Sequence, residues 1–281
     1  MTTVSARPRR VLAASAAVGL VIAAVVAVLL AQDDGGRSRA TPPPAELSVL
    51  PLLGTPGRVP DRAALAVKFD NTASGRPPSG LAQADIVFEE VVEGGLTRLL
   101  AVFQSQDPDP VGPVRSARST DLFILAELGR PLFAWSGANP TFAAAVESAD
   151  VVDVGIGAAP DAYGRSPDRQ APYNLYAAPE ELREAAAEQD EAAASTPPTA
   201  LFSYRAADSA LSGPGVEPVS GFRTTGAGTV STEIEWSWNA DAASWTRSQD
   251  GTPHVNKGGE PVRAANVVVR ITPYRDSGVR D

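Results

Sequence analysis

Two runs dense in Val, Ile, Phe and Leu, residues 86–93 and 96–103, are joined by Gly94-Gly95, and no other stretch constrains the fold of this chain as tightly. A two-residue glycine linker supplies the positive φ angles that a tight hairpin turn demands. Such a turn sets the pairing: Glu93 opposite Leu96, Val92 opposite Thr97 and Val91 opposite Arg98. On that register Glu89, Val91 and Glu93 share a face with Arg98, while Phe88, Val92, Leu99, Ala101 and Phe103 fill the other. The charged face is either a cross-strand salt bridge or a device that orients Arg98 towards the segment that follows.

That segment returns through Asp107-Pro108-Asp109-Pro110 into Gly112-Pro113-Val114-Arg115-Ser116-Ala117-Arg118. Ser119-Thr120-Asp121 then forms an N-cap string ahead of the apolar Leu122-Phe123-Ile124-Leu125. The two arginines therefore sit at a helix N-terminus, where unpaired backbone N–H groups and the helix dipole favour an anion. Guanidinium forks add bidentate recognition of carboxylate or phosphate. The plainer reading is that both arginines pair with nearby acids on a solvated loop, which contributes under ~1 kcal/mol per pair.

The flanking pattern predicts an α/β layer architecture. A strand at 64–69 ends in Asp70-Asn71, and a helix over 120–128 stops at Gly129. A strand at 131–135 then turns through Ser136-Gly137 into a second helix over 141–149 and a strand at 151–154. Asp70 and Asn71 are placed where such folds hold ligands, at a strand's C-terminal end, or else close an Asx-turn on their own backbone. Residues 161–176 read as a long irregular loop carrying Arg165, Asp168, Arg169, Asn174 and Tyr176, and loops of that length are usually functional or disordered. A helix starts at Pro179, and Ser195-Thr196-Pro197-Pro198 marks a boundary. Beyond it the chain reads as β at 201–204, 233–238, 244–247 and 266–272, with the lone His254 in a turn as a structural residue.

The expected organisation is a basic tail over 1–10, a transmembrane anchor or signal over 11–31, a Pro- and Gly-rich tether over 32–60, a mixed-sheet α/β domain over 61–194, and a smaller, mostly β domain over 199–281. The uncharged run 11–31 is long enough to span a bilayer, and Arg7, Arg9 and Arg10 before it hold the N-terminus in the cytoplasm. It is longer than the apolar core of a cleavable signal, and Leu29-Leu30-Ala31 makes a poor cleavage site, which favours an uncleaved anchor. The tether, with Thr41-Pro42-Pro43-Pro44, buries too little apolar surface to offset its ordering entropy. A net charge of −9 and no long basic run argue against general nucleic-acid binding. The absence of cysteine excludes disulfides, thiol catalysis and thiolate metal sites, and one histidine excludes a multi-histidine centre; any metal would have to be a hard one held by oxygen ligands, and no metal-ligating residue is assigned.

Asp70-Asn71, Glu93-Gly94-Gly95-Leu96-Thr97-Arg98, the Gly112 to Arg118 string and Ala171-Pro172-Tyr173-Asn174-Leu175-Tyr176 together resemble the YerB-like family of bacterial lipoproteins. The likeness extends to Gly251-Thr252-Pro253-His254 and Ala265-Asn266-Val267-Val268-Val269, and runs from about Leu52 to Tyr274. The family is a pair of domains of unknown function, so the resemblance implies topology and an extracytoplasmic, membrane-attached place, not a chemistry. This chain departs from it in lacking the lipobox cysteine, in carrying Tyr173 where the family has histidine, and in stopping soon after Tyr274, where the second domain usually continues.

Function at this level has two main readings. In the first, the protein is a non-catalytic envelope component that binds an anionic cell-wall polymer or an envelope protein through Arg98, Arg115, Arg118 and Arg169, with Glu93, Asp70, Asn71 and Asn174 completing the site. In the second, its layout is similar to that of the LytR-CpsA-Psr phosphotransferases, which act on polyprenyl-pyrophosphate-linked glycans. Arginines would then clamp a pyrophosphate while Glu93, Asp70 or Asp121 activates the acceptor with Mg²⁺. An assembly factor offering its β domain as a binding edge is a third. No catalytic residue or cofactor follows from the sequence alone.

Overall fold

The computed structural model describes residues 48–205, 215–226 and 228–273. The basic tail, the apolar run 11–31 and the tether as far as residue 47 lie outside the described residues. Among the described residues no helix is long and apolar enough to cross a membrane.

A short antiparallel pair, β1 (Ser48–Val49) and β2 (Pro56–Gly57), leads into the main sheet. Its strands are β3 (Leu65–Asp70), β4 (Ile86–Val91), β5 (Thr97–Phe103), β6 (Leu132–Ala134) and β7 (Val152–Asp153), in the order β4-β5-β3-β6-β7. β3 runs antiparallel to β5 and parallel to β6, and β6 parallel to β7, so the sheet is mixed. Three helices cover it: α1 (Ser119–Ala126), α2 (Pro140–Glu147) and α3 (Pro179–Ala194).

Strand alternation assigns the two cores. Leu65, Val67, Phe69, Leu99, Ala101 and Phe103 face the side on which Leu182 and Ala186 of α3 pack. Ala64, Ala66, Leu100 and Val102 face the other, with Leu125 of α1 and Val146 of α2. From Ala64 into β3 that second face reads Ala64, Ala66, Lys68, Asp70, so apolar packing gives way to charge as the strand reaches its C-terminal end.

The predicted hairpin exists, but its register is shifted by one residue. The turn uses three residues, Glu93–Gly95, with φ of 71° at Gly94 and 85° at Gly95, and Val92 N–H donates to Leu96 O at 2.8 Å. Val91 therefore opposes Thr97 and Glu90 opposes Arg98. One extra turn residue moves every β4 side chain to the opposite face relative to β5: Phe88 and Glu90 join Arg98, and Glu89 joins Thr97 and Leu99.

The turn owes its glycines to a neighbour as well as to its own φ angles. Val230 N–H donates to Gly94 O at 2.6 Å and Thr232 Oγ1 to Gly95 O at 2.9 Å, so two backbones lie directly against each other. A Cβ on Gly95 would come 2.2 Å from Val230 O, whereas one on Gly94 would meet nothing within 4 Å. Gly95→Ala is therefore expected to lower stability by about 2–4 kcal/mol, strain plus displacement of a backbone, and Gly94→Ala by only the strain share of about 1–2 kcal/mol. Urea midpoints of the two variants measure the difference.

Further along, the region expected to be an irregular loop contains the ladder of β8 (Tyr163–Arg165) and β9 (Leu175–Ala177). The C-terminal sheet comprises β10 (Gly221–Thr225), β11 (Glu233–Asn239), β12 (Ser244–Gln249), β13 (Thr252–Pro253) and β14 (Arg263–Ala264). β10 has little apolar signal of its own and forms because Phe222 pairs with Trp236 and Thr224 with Ile234. Two predicted strands are absent. Residues 201–204 form no ladder, and Tyr204 instead donates its hydroxyl to Pro51 O at 2.8 Å. Residues 266–272 run on past β14 without a strand partner, leaving Ile271 95% exposed.

Candidate functional site at the arginine loop

The arginine loop is stitched into the sheet at the C-terminal ends of its parallel strands. Arg115 N–H donates to Lys68 O at 2.8 Å, Asp70 N–H to Pro113 O at 2.9 Å, and Val114 bridges Phe69. Ser136 N–H donates to Arg115 O at 3.0 Å, and Ala117 N–H to Gly137 O at 2.9 Å. The loop thus takes up the hydrogen-bonding edge of β3 where β6 has ended, the position at which open α/β sheets bind ligands. It then becomes the cap of α1, where Arg118 N–H donates to Asp121 Oδ2 at 2.6 Å.

Five of the eight residues singled out from sequence meet here. Arg115 Nε donates to Asp70 Oδ2 at 2.7 Å, and its guanidinium lies 5.3 Å from the centre of the Tyr173 ring. Asp70 Oδ1 also accepts from Thr72 N at 2.6 Å, so the Asx-turn and the site-facing role coexist. Arg118 grips Glu93 with both Nε and Nη2, the latter at 3.0 Å. Arg98, half-buried on β5 opposite Asp70, donates Nη1 to Ser116 O at 3.1 Å and has no carboxylate in ion-pair range among the described residues. Burial pulls the Arg98 guanidinium's pKa down, and the positive charges of Arg118 and Arg115 pull it further. For Glu93, burial acts upwards, but the Arg118 hydrogen bonds and charge outweigh it and hold the carboxyl below the usual range.

The other three lie elsewhere. Arg169 donates to Gly75 O and Pro77 O, each at 2.6 Å, and so fixes the 75–77 loop. Asn174 accepts from Arg165 Nη1 at 2.8 Å and donates to Ser166 O and Arg169 O, closing the turn between β8 and β9. Asn71 faces away from Asp70, donating to Thr97 Oγ1 at 2.7 Å and Gln249 Oε1 at 2.9 Å.

Two clusters went unread in the sequence. Behind the arginines, Lys68 is wholly buried and donates to Glu90 Oε1 at 2.9 Å and Asp121 Oδ1 at 2.6 Å. Burial, together with the Glu90 charge and against that of Lys68, pushes Asp121 up to about 7. A lysine inside the otherwise apolar run 64–69 was the available signal.

The second cluster joins the two sheets. Arg247 of β12 forks onto Glu89, at 3.1 Å to Oε2 and 2.6 Å to Oε1, and donates to Gln249 Oε1 and to His254 Nδ1, both at 2.8 Å. Burial first, then the charges of Arg247 and Arg76, lower His254 to about 3. The unfolded chain takes up this proton below its ordinary pKa of 6.5 and the folded one does not, so this group removes stability as pH falls from about 6.5 towards about 3. The imidazole is expected to stay neutral from about pH 8 down to about pH 4, readable by NMR because the chain has one histidine.

Residues 52–193 match the family model for the N-terminal domain of a protein of unknown function, DUF3048, and residues 226–281 match the model for its C-terminal domain. The chain is 32% identical over 236 residues to the "Putative lipoprotein YerB" of Bacillus subtilis (strain 168), covering 82% of this chain and 69% of that one. It belongs to the YerB-like family of paired DUF3048 domains. The fold is likewise similar to the crystal structure of the YerB protein from Bacillus subtilis, with a TM-score of 0.63 at 30% identity over 77% of this chain and 72% of the other. In this YerB-like chain the arginine loop, the Glu93 turn and Asp70 all fall within the N-terminal family domain, while Arg247 and His254 belong to the C-terminal one.

Proposed function

We propose that this protein is a membrane-attached, extracytoplasmic envelope component that binds an anionic ligand, a phosphate- or carboxylate-bearing wall polymer or an acidic envelope partner, at Arg98, Arg115 and Arg118. The observation that carries the reading is Arg98: a half-buried guanidinium without a carboxylate of its own among the described residues, beside two further arginines. An incoming anion gains charge-assisted hydrogen bonds there without first displacing an acid from Arg98. The attachment rests on the similarity to a lipoprotein and on the apolar run 11–31. With no cysteine to carry a lipid, that run serves as the anchor.

The phosphotransferase reading draws no support from the same geometry. Each acid considered as its base is engaged: Asp70 by Arg115 and Thr72, Glu93 by Arg118, and Asp121 by Lys68 and the α1 cap.

The test is retention of purified wall polymer by the immobilised protein. Arg98→Gln and the Arg115→Gln/Arg118→Gln pair are each expected to weaken retention at least about tenfold, since a hydrogen bond to a charged group contributes about 1.5–3 kcal/mol. Retention should also fall as salt rises. Unchanged retention by both variants overturns the proposal.

A further inference from the structure

Lys68 holds one more acid than its charge can balance. Its ammonium donates to Glu90 Oε1 at 2.9 Å and to Asp121 Oδ1 at 2.6 Å, and the lysine and aspartate are wholly buried, the glutamate 8% exposed. With both acids ionised, the three groups would carry a net negative charge away from water, which is costly. Their remaining oxygens do little to offset it. Asp121 Oδ2 takes a backbone N–H, that of Arg118, and Glu90 Oε2 is buried with no donor among the described residues. Two carboxylates crowded onto one site relieve the repulsion by keeping a proton between them. Burial first, then the Glu90 charge and a hydrogen bond with Glu90, raise Asp121 against the pull of Lys68. A proton on Asp121 therefore has an acceptor in Glu90.

The cluster meets the arginine loop at two points. Glu90 is the cross-strand partner of Arg98, whose other neighbour in the sheet is Asp70. Asp121, the third residue of α1, fastens Arg118 by its N–H. The further charges at this end are Arg115, held by Asp70, and Glu93, held by Arg118. His254 stands across the sheet, in its seam with the C-terminal sheet behind Arg247 and Glu89, and at about 3 it is neutral at neutral pH.

We propose that Lys68, Glu90 and Asp121 hold one shared proton against the inner side of the arginine loop, and that this proton makes anion binding there pH-dependent, tight while it is held and weaker once it has left. Release of the proton to solvent leaves an added negative charge beside Arg98 and at the Arg118 N–H, where it opposes an incoming anion. By reciprocity a bound anion strengthens the cluster's hold on the proton. The proton stands independently of the anion-binding reading of the loop, whereas its control of binding rests on that reading.

The proton is tested first, without ligand. The full chain, labelled with ¹³C at its aspartate side-chain carboxyls and held in detergent micelles, is titrated with acid. The expected result is one carboxyl resonance that titrates near neutral pH, is missing from Asp121→Asn and titrates at lower pH in Glu90→Gln. Tryptophan indole signals report that each variant is folded. Binding is then measured at about pH 6 and about pH 8 with two probes whose charges do not titrate in that range, poly(glycerol phosphate) and polyglutamate. A probe that binds is expected to do so about fivefold or more tightly at the lower pH in the native chain, and about equally at the two in Asp121→Asn and in Glu90→Gln. In the native chain a saturating probe should also move the aspartate titration to higher pH. No aspartate titrating near neutral pH, or one that persists in Asp121→Asn, overturns the shared proton. Equal binding by the native chain at both pH values, or a pH dependence kept in both variants, overturns its control of the loop. Binding of neither probe at either pH overturns the anion-binding reading and that control with it, while the aspartate titration still decides the proton.

Discussion

Lys68→Met is expected to cost about 3–5 kcal/mol, enough to consume much of the ~5–15 kcal/mol by which a typical domain is stable. The side chain is wholly buried and is the shared cation for Glu90 and Asp121, whose carboxylates have little or no access to water. Methionine fills the volume but leaves both acids without a counter-charge, and one Glu90 oxygen already lacks a partner. Asp121 also caps α1 through the Arg118 N–H, so the loss spreads to the arginine loop. Urea unfolding measures it. The triple variant Lys68→Met/Glu90→Gln/Asp121→Asn is expected to recover at least half the loss, because no net charge stays buried and the amide oxygen that replaces the Asp121 carboxylate still accepts at the cap. If the single and triple variants unfold at the same midpoint, buried charge is not the cause.

Arg247→Ala is expected to uncouple the two sheets. The side chain is 3% exposed and makes four hydrogen bonds, to Glu89, Gln249 and His254, and Glu89 is the partner that belongs to the other family domain. Truncating one member of a buried, hydrogen-bonded charge pair costs about 2–5 kcal/mol, much of it from the acid left behind. Asn71 and Thr97 still donate to Glu89, so the N-terminal domain should keep its fold. Three of the four tryptophans, Trp236, Trp238 and Trp245, lie in the C-terminal sheet, so fluorescence follows that sheet while far-ultraviolet circular dichroism follows the whole. In the native protein the two signals should unfold together; in Arg247→Ala the fluorescence transition should move to lower urea. Arg247→Lys restores little, because one ammonium cannot fork across Glu89 and also reach His254. Coincident transitions in the variant would show that the seam is held elsewhere.

Much of the site was legible in one dimension because its signals are local. Arg115 and Arg118 stand in front of a helix start, and the cap string marks that start whatever the rest of the chain does. Asp70 ends a strand whose apolar run is plain, and the strand's end is where the loop docks. Arg98 was correctly placed near the loop despite an incorrect hairpin register, since its own parity on β5 does not depend on the turn. Glu89 was misplaced for the same reason in reverse: its partner depends on whether the turn takes two residues or three, and glycines satisfy either.

What the sequence determined by itself was thus the set of elements carried by hydrophobic period and capping: the hairpin, β3, the three helices and β11 with β12. Tertiary structure alone decided the pairings that span many residues. Glu89 and Arg247 are 158 positions apart, and Asn71 and Gln249 are 178 apart. No local preference encodes such contacts, because a charged side chain on a strand looks the same whether it meets water or a buried counter-ion. They form where the segment around Val230 closes against the turn, an approach that the missing Cβ of Gly95 permits, and the second sheet lies on the first.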